Sequence, residues 1–150
     1  GIFTHFGFIS SSELNQWLAL KEDQKGMALY FDTLFSSGQR QKVESMLRSR
    51  PEWLGAFIPL LEDPEGGITT RLGLTVVLEE MRGDAAFEPW IAELGRLAVV
   101  GDSRTRGDVC YALGLSNNAA AIPWLEQCLQ DSNPQVREIA QEALEEIAQD

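Results

Sequence analysis

The run RGDVCYALGLSNNAAAIPWLEQCLQDSNPQVREIAQEAL, Arg106 to Leu144, contains one pattern twice. Arg106, Val109, Ala112 and Leu113 have the spacing R-x-x-Φ-x-x-Φ-Φ, where Φ is apolar or small, and Arg137, Ala140, Ala143 and Leu144 repeat it. Steps of three, three and one put the apolar members on one face of a helix, with the arginine a turn ahead of them. Working outward, the pattern recurs at Arg71/Leu74/Val77/Leu78 and at Arg40/Val43/Met46/Leu47, with arginine offsets of 31, 35 and 31 along the chain. Such a period marks an array of helical units, each of which needs a neighbour to cover its apolar face.

A second element alternates with the first. It reads AFIPLL from Ala56, AFEPWI from Ala86 and AAIPWL from Ala120. Proline in the first turn of a helix sacrifices no hydrogen bond, so Pro59, Pro89 and Pro123 are expected to start helices. Asp63, Asp102 and Asp131 follow shortly before the next arginine helix, placed to cap it or to turn the chain. The spacing predicts arginine helices over 39–49, 68–81, 103–115 and 133–148, and partner helices over 51–62, 86–98 and 120–130. Gly66-Gly67, Gly83-Asp84, Gly101-Asp102, Ser116-Asn117-Asn118 and Asp131 to Pro134 separate them.

Leu113-Gly114, Ala121 to Leu125, Leu129, Asp131, Val136-Arg137 and Ala140 resemble a HEAT repeat, similar to the HEAT-like variant of bilin lyases. The resemblance covers residues 38–150. It implies an all-α fold, a right-handed solenoid of stacked antiparallel helix pairs in which each pair contacts only its neighbours. It also implies an inter-repeat ladder of aspartate and arginine. The Asp-to-Arg separations of eight, four and six residues are too unequal for that ladder to be regular.

Residues 1–37 read differently, as an N-terminal arm with capping helices. GIFTHFGFIS is aromatic and β-branched with alternation and predicts a short strand over 1–10. Ser10 and Glu13 form a capping-box pattern for a helix through Leu20, with Leu14, Trp17 and Leu18 as its apolar face. A second helix is expected from Gln24 to Phe35, ending at Ser36-Ser37-Gly38. A lone strand leaves its backbone groups unpaired. Phe6 to Ser10 with Glu13-Leu14 and Trp17-Leu18 resemble the last strand and helix of a thioredoxin fold, which implies a redox domain upstream. The alternative is an apolar arm that caps the first repeat.

The 150 residues are 44% hydrophobic and 23% charged, values of an ordinary folded domain. Twelve bases against 23 acids give a net charge of −11, which argues against nucleic acid and anionic lipid as partners. There is no apolar run long enough to span a membrane, and no signal-peptide pattern. Residues 51–150 carry six bases and eighteen acids, whereas residues 1–50 carry six and five. Glu138, Glu142, Glu145 and Glu146 share the outer face of the last helix, an acidic end suited to orienting a basic partner.

Each candidate for chemistry has a structural reading beside it. Arg40, Arg71, Arg106 and Arg137 form a row that either binds an anion or, more commonly, pairs with neighbouring aspartates and carbonyls. Trp90 and Trp124, each one residue after a proline, line a ligand groove or pack between repeats. Cys110 occupies a register held elsewhere by Glu44, Thr75 and Gln141, which predicts partial exposure. With no adjacent histidine, Cys110 and Cys128 read as inert apolar side chains in a reduced, cytoplasmic setting. His5 stands alone, and no catalytic triad, phosphate loop, metal or cofactor site can be assembled.

The expectation is therefore a non-enzymatic scaffold that binds a protein of basic character, with Arg71, Arg106, Arg137, Trp90 and Trp124 as binding candidates. Two alternatives stand beside it. One is an accessory domain of a thioredoxin-like thiol–disulfide protein, and the other a module that holds a tetrapyrrole.

Overall fold

The computed structural model describes the backbone of residues 11–148 and side chains from residue 23 onward. The strand expected over 1–10, the Ser10 cap, the Leu14/Trp17/Leu18 face, His5 and the thioredoxin-like stretch lie outside the described residues. Every element within them is helical: α1 (Ser11–Ser36), α2 (Arg40–Ser49), α3 (Phe57–Glu62), α4 (Ile68–Glu80), α5 (Ile91–Val100), α6 (Ser103–Ser116), α7 (Ile122–Cys128) and α8 (Pro134–Ala148). Single 3₁₀ segments precede α3, α5 and α7, at Pro51–Ala56, Ala85–Trp90 and Ala119–Ala121.

Two expectations about the elements need correction. The helices expected before Leu20 and after Gln24 are one continuous helix, α1. Nothing between them breaks it, since Lys21, Glu22 and Asp23 are all compatible with helix and no Gly or Pro intervenes. The partner elements are also not uniform α-helices. Pro89 sits inside the 3₁₀ segment ahead of α5 rather than in its first α-turn, whereas Pro123 does occupy the first turn of α7. Gly38, at φ 75°, takes the left-handed turn that ends α1.

The elements stack in two layers. One holds the arginine helices α4, α6 and α8 in succession, with α1 and α2 against α4; the other holds α3, α5 and α7 with their 3₁₀ segments. The predicted apolar stripes supply most of the core: Leu74, Val77 and Leu78 of α4 and Val109, Ala112 and Leu113 of α6 are buried, whereas Leu144 of α8 and Met46 of α2 are only half-buried, and Val136 joins Ala140 and Ala143 in the core of α8. At the N-terminal end Phe31 and Phe57 meet edge to face, their ring centres 5.8 Å apart, and close the array there.

Local polar groups set where each helix starts. Asp102 Oδ1 accepts from the Thr105 amide at 2.8 Å and caps α6, while Asn133 Oδ1 accepts from the Gln135 amide at 2.8 Å at the start of α8. Asp63 turns the chain instead, accepting from the Glu65 amide at 2.9 Å, and α4 begins behind Gly67. Asp84 and Asn118 cap the 3₁₀ segments in the same way.

Successive units are held close by glycine. A Cβ on Gly55 would overlap the ring of Trp90, and a Cβ on Gly95 would overlap the ring of Trp124. A tryptophan ring thus seats on a glycine at two successive junctions: Trp90, at the end of the 3₁₀ segment before α5, on Gly55 of the segment before α3, and Trp124, in the first turn of α7, on Gly95 within α5. On the arginine layer, a Cβ on Gly114 would come within 2.7 Å of Ala143 Cβ, so α6 and α8 approach almost backbone to backbone.

Candidate functional site

The four arginines do not form a common row. Arg106 leaves the first turn of α6 and grips Asp131 in the turn before α8, with Nε to Oδ2 at 2.8 Å and Nη2 to Oδ1 at 3.0 Å. Its remaining nitrogen donates to the Gly101 carbonyl at 2.8 Å. The two side chains are only 17% and 8% exposed, so the paired charges are largely shielded from water. The hydrogen bond from Arg106 holds the Asp131 carboxyl below the usual aspartate value, against the opposing effect of burial.

Arg71 reaches Asp108 at 3.5 Å, and both side chains are about 40% exposed. Arg137 donates to the backbone carbonyl of Asp131 at 2.6 Å and is exposed. Arg40 pairs within its own helix with Glu44 at 3.0 Å. A single two-pronged rung, Arg106–Asp131, therefore stands where the resemblance implied a ladder. The Asp63 and Asp102 carboxylates accept from groups of their own turns and caps, whereas the Asp131 carboxylate accepts from the Asn133 amide and from Arg106 as well.

Trp90 and Trp124 are half-buried in the glycine contacts described above, so their rings lie between units. Cys110 is fully buried, which corrects its expected partial exposure. The register argument failed because α6, covered by α5 and α8, is buried around most of its circumference, whereas α2 and α4 keep an open side. Cys128 donates from Sγ to the Ala98 carbonyl at 3.4 Å. Its hydrogen bond with Cys110, and then burial, push the Cys110 thiol up; accepting that bond holds the Cys128 thiol down. Access governs their reactivity. In the native protein a bulky thiol reagent is expected to modify neither cysteine within minutes, with both reacting at once in denaturant. Rapid native labelling would contradict the burial.

Among the described residues, exposed large apolar side chains stand on α1 at Leu29, at the end of α5 at Val100, and on α4, where they border a groove. Ile68 and Leu72 are 70% and 61% exposed and sit on the side of the helix away from the repeat stripe. They border a groove of about 180 Å³ between α3, α4 and α6, whose other walls include Leu60, Arg71, Arg104 and Tyr111. A second groove lies between α4 and the start of α2, and Leu72 belongs to both. Tyr111 Oη donates to Glu79, which raises the tyrosine to about 12 and fixes the ring at the rim. Of the five binding candidates named from the sequence, the structure places Arg71 at this groove and the others elsewhere.

Ile68, Leu72 and Tyr111 were missed by pattern reading because the repeat motif directs attention to its own stripe. A signal was present: apolar side chains at positions 68 and 72, four apart, fall on the face that the motif leaves polar.

No group of His, Cys, Asp and Glu among the described residues is arranged to hold a metal ion. No described helix is long and apolar enough to cross a membrane. Compared with known proteins, residues 56–145 match the family model described as HEAT repeats. Neither the curated proteins nor the solved structures give a match.

Proposed function

That this chain belongs to the HEAT-repeat family is the premise from which we propose a non-enzymatic scaffold that binds other proteins through the α4 surface. HEAT repeats commonly serve as protein-interaction scaffolds. The observation that carries the reading is the exposed pair Ile68 and Leu72 beside a groove walled by α3 and α6. Apolar side chains set in a cleft with a polar rim are what a protein partner buries. Arg71 belongs to this surface. Arg106, Trp90 and Trp124 serve the stacking of the units, and Arg137 lies at the acidic end.

That end is a second surface. Glu138, Glu142 and Glu145 are exposed on α8, while Glu146 pairs with Arg82. In this reading they steer a basic partner, an effect on encounter rate that salt weakens. The test is capture from a native lysate by the wild type, by Leu72→Asp and by Glu138→Lys/Glu142→Lys, at low and raised salt. A defined protein lost with Leu72→Asp supports the scaffold, and a second one lost with the α8 variant supports the basic partner. Retention unaffected by either variant, or of a small molecule only, overturns it.

Stability separates the two roles of arginine. Arg71→Ala is expected to cost less than about 0.5 kcal/mol, because the pair with Asp108 is long and solvated. A larger loss in urea unfolding would make Arg71 a structural residue and remove it from the surface.

A further inference from the structure

The two cysteines of the chain are both buried, and they lie at the seam where α5, α6 and α7 meet. Their closeness follows from the rung beside them. Arg106 of α6 holds Asp131 by hydrogen bonds of 2.8 and 3.0 Å, which fixes the start of α6 against the turn after α7. Cys110 stands four residues after Arg106, one turn along the same face of α6. Cys128 stands three residues before Asp131, whose amide donates to the Cys128 carbonyl at 3.1 Å. One turn from the rung the two thiols therefore meet, and Cys110 donates a hydrogen bond to the Cys128 sulfur. Cys128 in turn donates to the Ala98 carbonyl of α5 at 3.4 Å.

The two thiols differ in access. A cavity of about 350 Å³ opens at the edge of this seam, and Cys128 lines it together with Ala98, Arg106 and Asp131, whereas Cys110 does not. Cys128 is only 3% exposed, so whatever reaches its sulfur must be near the size of water, about 30 Å³. The hydrogen bond from Cys110, and then the Arg106 guanidinium, favour the Cys128 thiolate against burial and the Asp131 charge.

We propose that Cys110 and Cys128 are a hydroperoxide-sensitive pair, in which Cys128 is oxidised through this cavity and Cys110 closes an intramolecular disulfide that ties α6 to α7. The Cys128 thiolate, its proton passed to solvent, attacks one oxygen of hydrogen peroxide. A sulfur–oxygen bond forms, the oxygen–oxygen bond breaks, and the leaving hydroxide takes up a proton to become water. Cys128 is then a sulfenic acid and the peroxide is reduced. The Cys110 sulfur attacks the Cys128 sulfur, the disulfide forms as the sulfur–oxygen bond breaks, and hydroxide departs with the Cys110 proton as a second water. Two thiols and one peroxide thus give one disulfide and two waters. The proposal does not rest on the α4 surface, whose groove shares none of these residues.

The test exposes the reduced full chain to a small excess of hydrogen peroxide in native buffer, alkylates the remaining thiols in denaturant, and reads the intact mass. The expected product has lost two hydrogens and takes up no alkylating group, while a bulky maleimide applied to the native chain for the same time labels neither cysteine. Proteolysis after Glu126 separates the two cysteines, so a joined pair of peptides should come apart on reduction. In Cys110→Ala the reaction should stop at a Cys128 sulfenic acid that dimedone captures. In Cys128→Ala the remaining thiol should be lost at least ~10-fold more slowly than the thiols of the wild type. Circular dichroism checks that each variant is folded, and the wild-type mass and peptide pair decide the matter where a variant is not. The proposal is overturned if the peroxide-treated wild type still takes up two alkylating groups, if the disulfide joins two chains, or if dimedone captures nothing from folded Cys110→Ala. It also falls if the disulfide forms only as fast as maleimide labels the native chain, since the oxidant would then enter through an opened fold and not through the cavity.

Discussion

Gly95→Ala is expected to lower stability by about 2–3 kcal/mol, a large effect for one added methyl group. The new Cβ would occupy the space of the Trp124 ring, which must then swing out or push α7 away from α5. The same substitution at Gly26 should have the opposite sign. That residue lies exposed within α1 with nothing near its Cβ position, so alanine gains helix propensity of up to about 1 kcal/mol. Urea unfolding of both variants decides between packing and propensity. Trp124→Ala supplies a cross-check: in its background Gly95→Ala should become nearly harmless, because the ring it strikes has gone. Additive losses in the double variant would show that the glycine is needed for some other reason.

Asp131→Ala carries the second large effect, a loss of about 2–3 kcal/mol at neutral pH. It removes both acceptors of Arg106 and the acceptor of the Asn133 amide, and it leaves a poorly hydrated guanidinium with the Gly101 carbonyl alone. The effect depends on pH in a defined direction. Because the folded Asp131 carboxyl titrates below its ordinary value of 3.8, its contribution is complete above that value and disappears as pH falls through the folded one. Hydrogen bonds from Thr105 depress Asp102 likewise, so the wild type should weaken steadily below about pH 4. The gap between wild type and Asp131→Ala should therefore narrow as the pH falls from 7 through and below 3.8. A constant gap over that range would mean that the carboxylate charge is not what holds the turn.

Much of the fold was legible because the repeat writes itself into the sequence three ways at once. The arginine, the apolar triad and the proline keep register, and the triads of α4 and α6 are buried as their spacing requires. What was not legible depends on contacts between units. The 3₁₀ segments ahead of α3, α5 and α7 have no spacing signature that separates them from a first α-turn. The exposure of Cys110 could not be taken from Glu44 or Thr75, because the same register position is fully buried in α6 and only half-buried in α2 and α4. The glycines at 55 and 95 carried no warning either, since their meaning lies in tryptophans 35 and 29 residues further on. The α4 surface was half visible, through Arg71, but its apolar part was hidden behind a motif that explains other residues of the same helix.

The repeated seating of tryptophan on glycine places one indole at each of two successive junctions between units. Each junction thus carries its own fluorophore. In chains that retain only Trp90 or only Trp124, a red shift of the remaining emission would report the parting of one junction. If the two shifts occur at the same denaturant concentration, the array comes apart as a block. If they separate, it unzips from one end, and the Arg106–Asp131 rung beside the Trp124 junction makes that junction the later of the two to open.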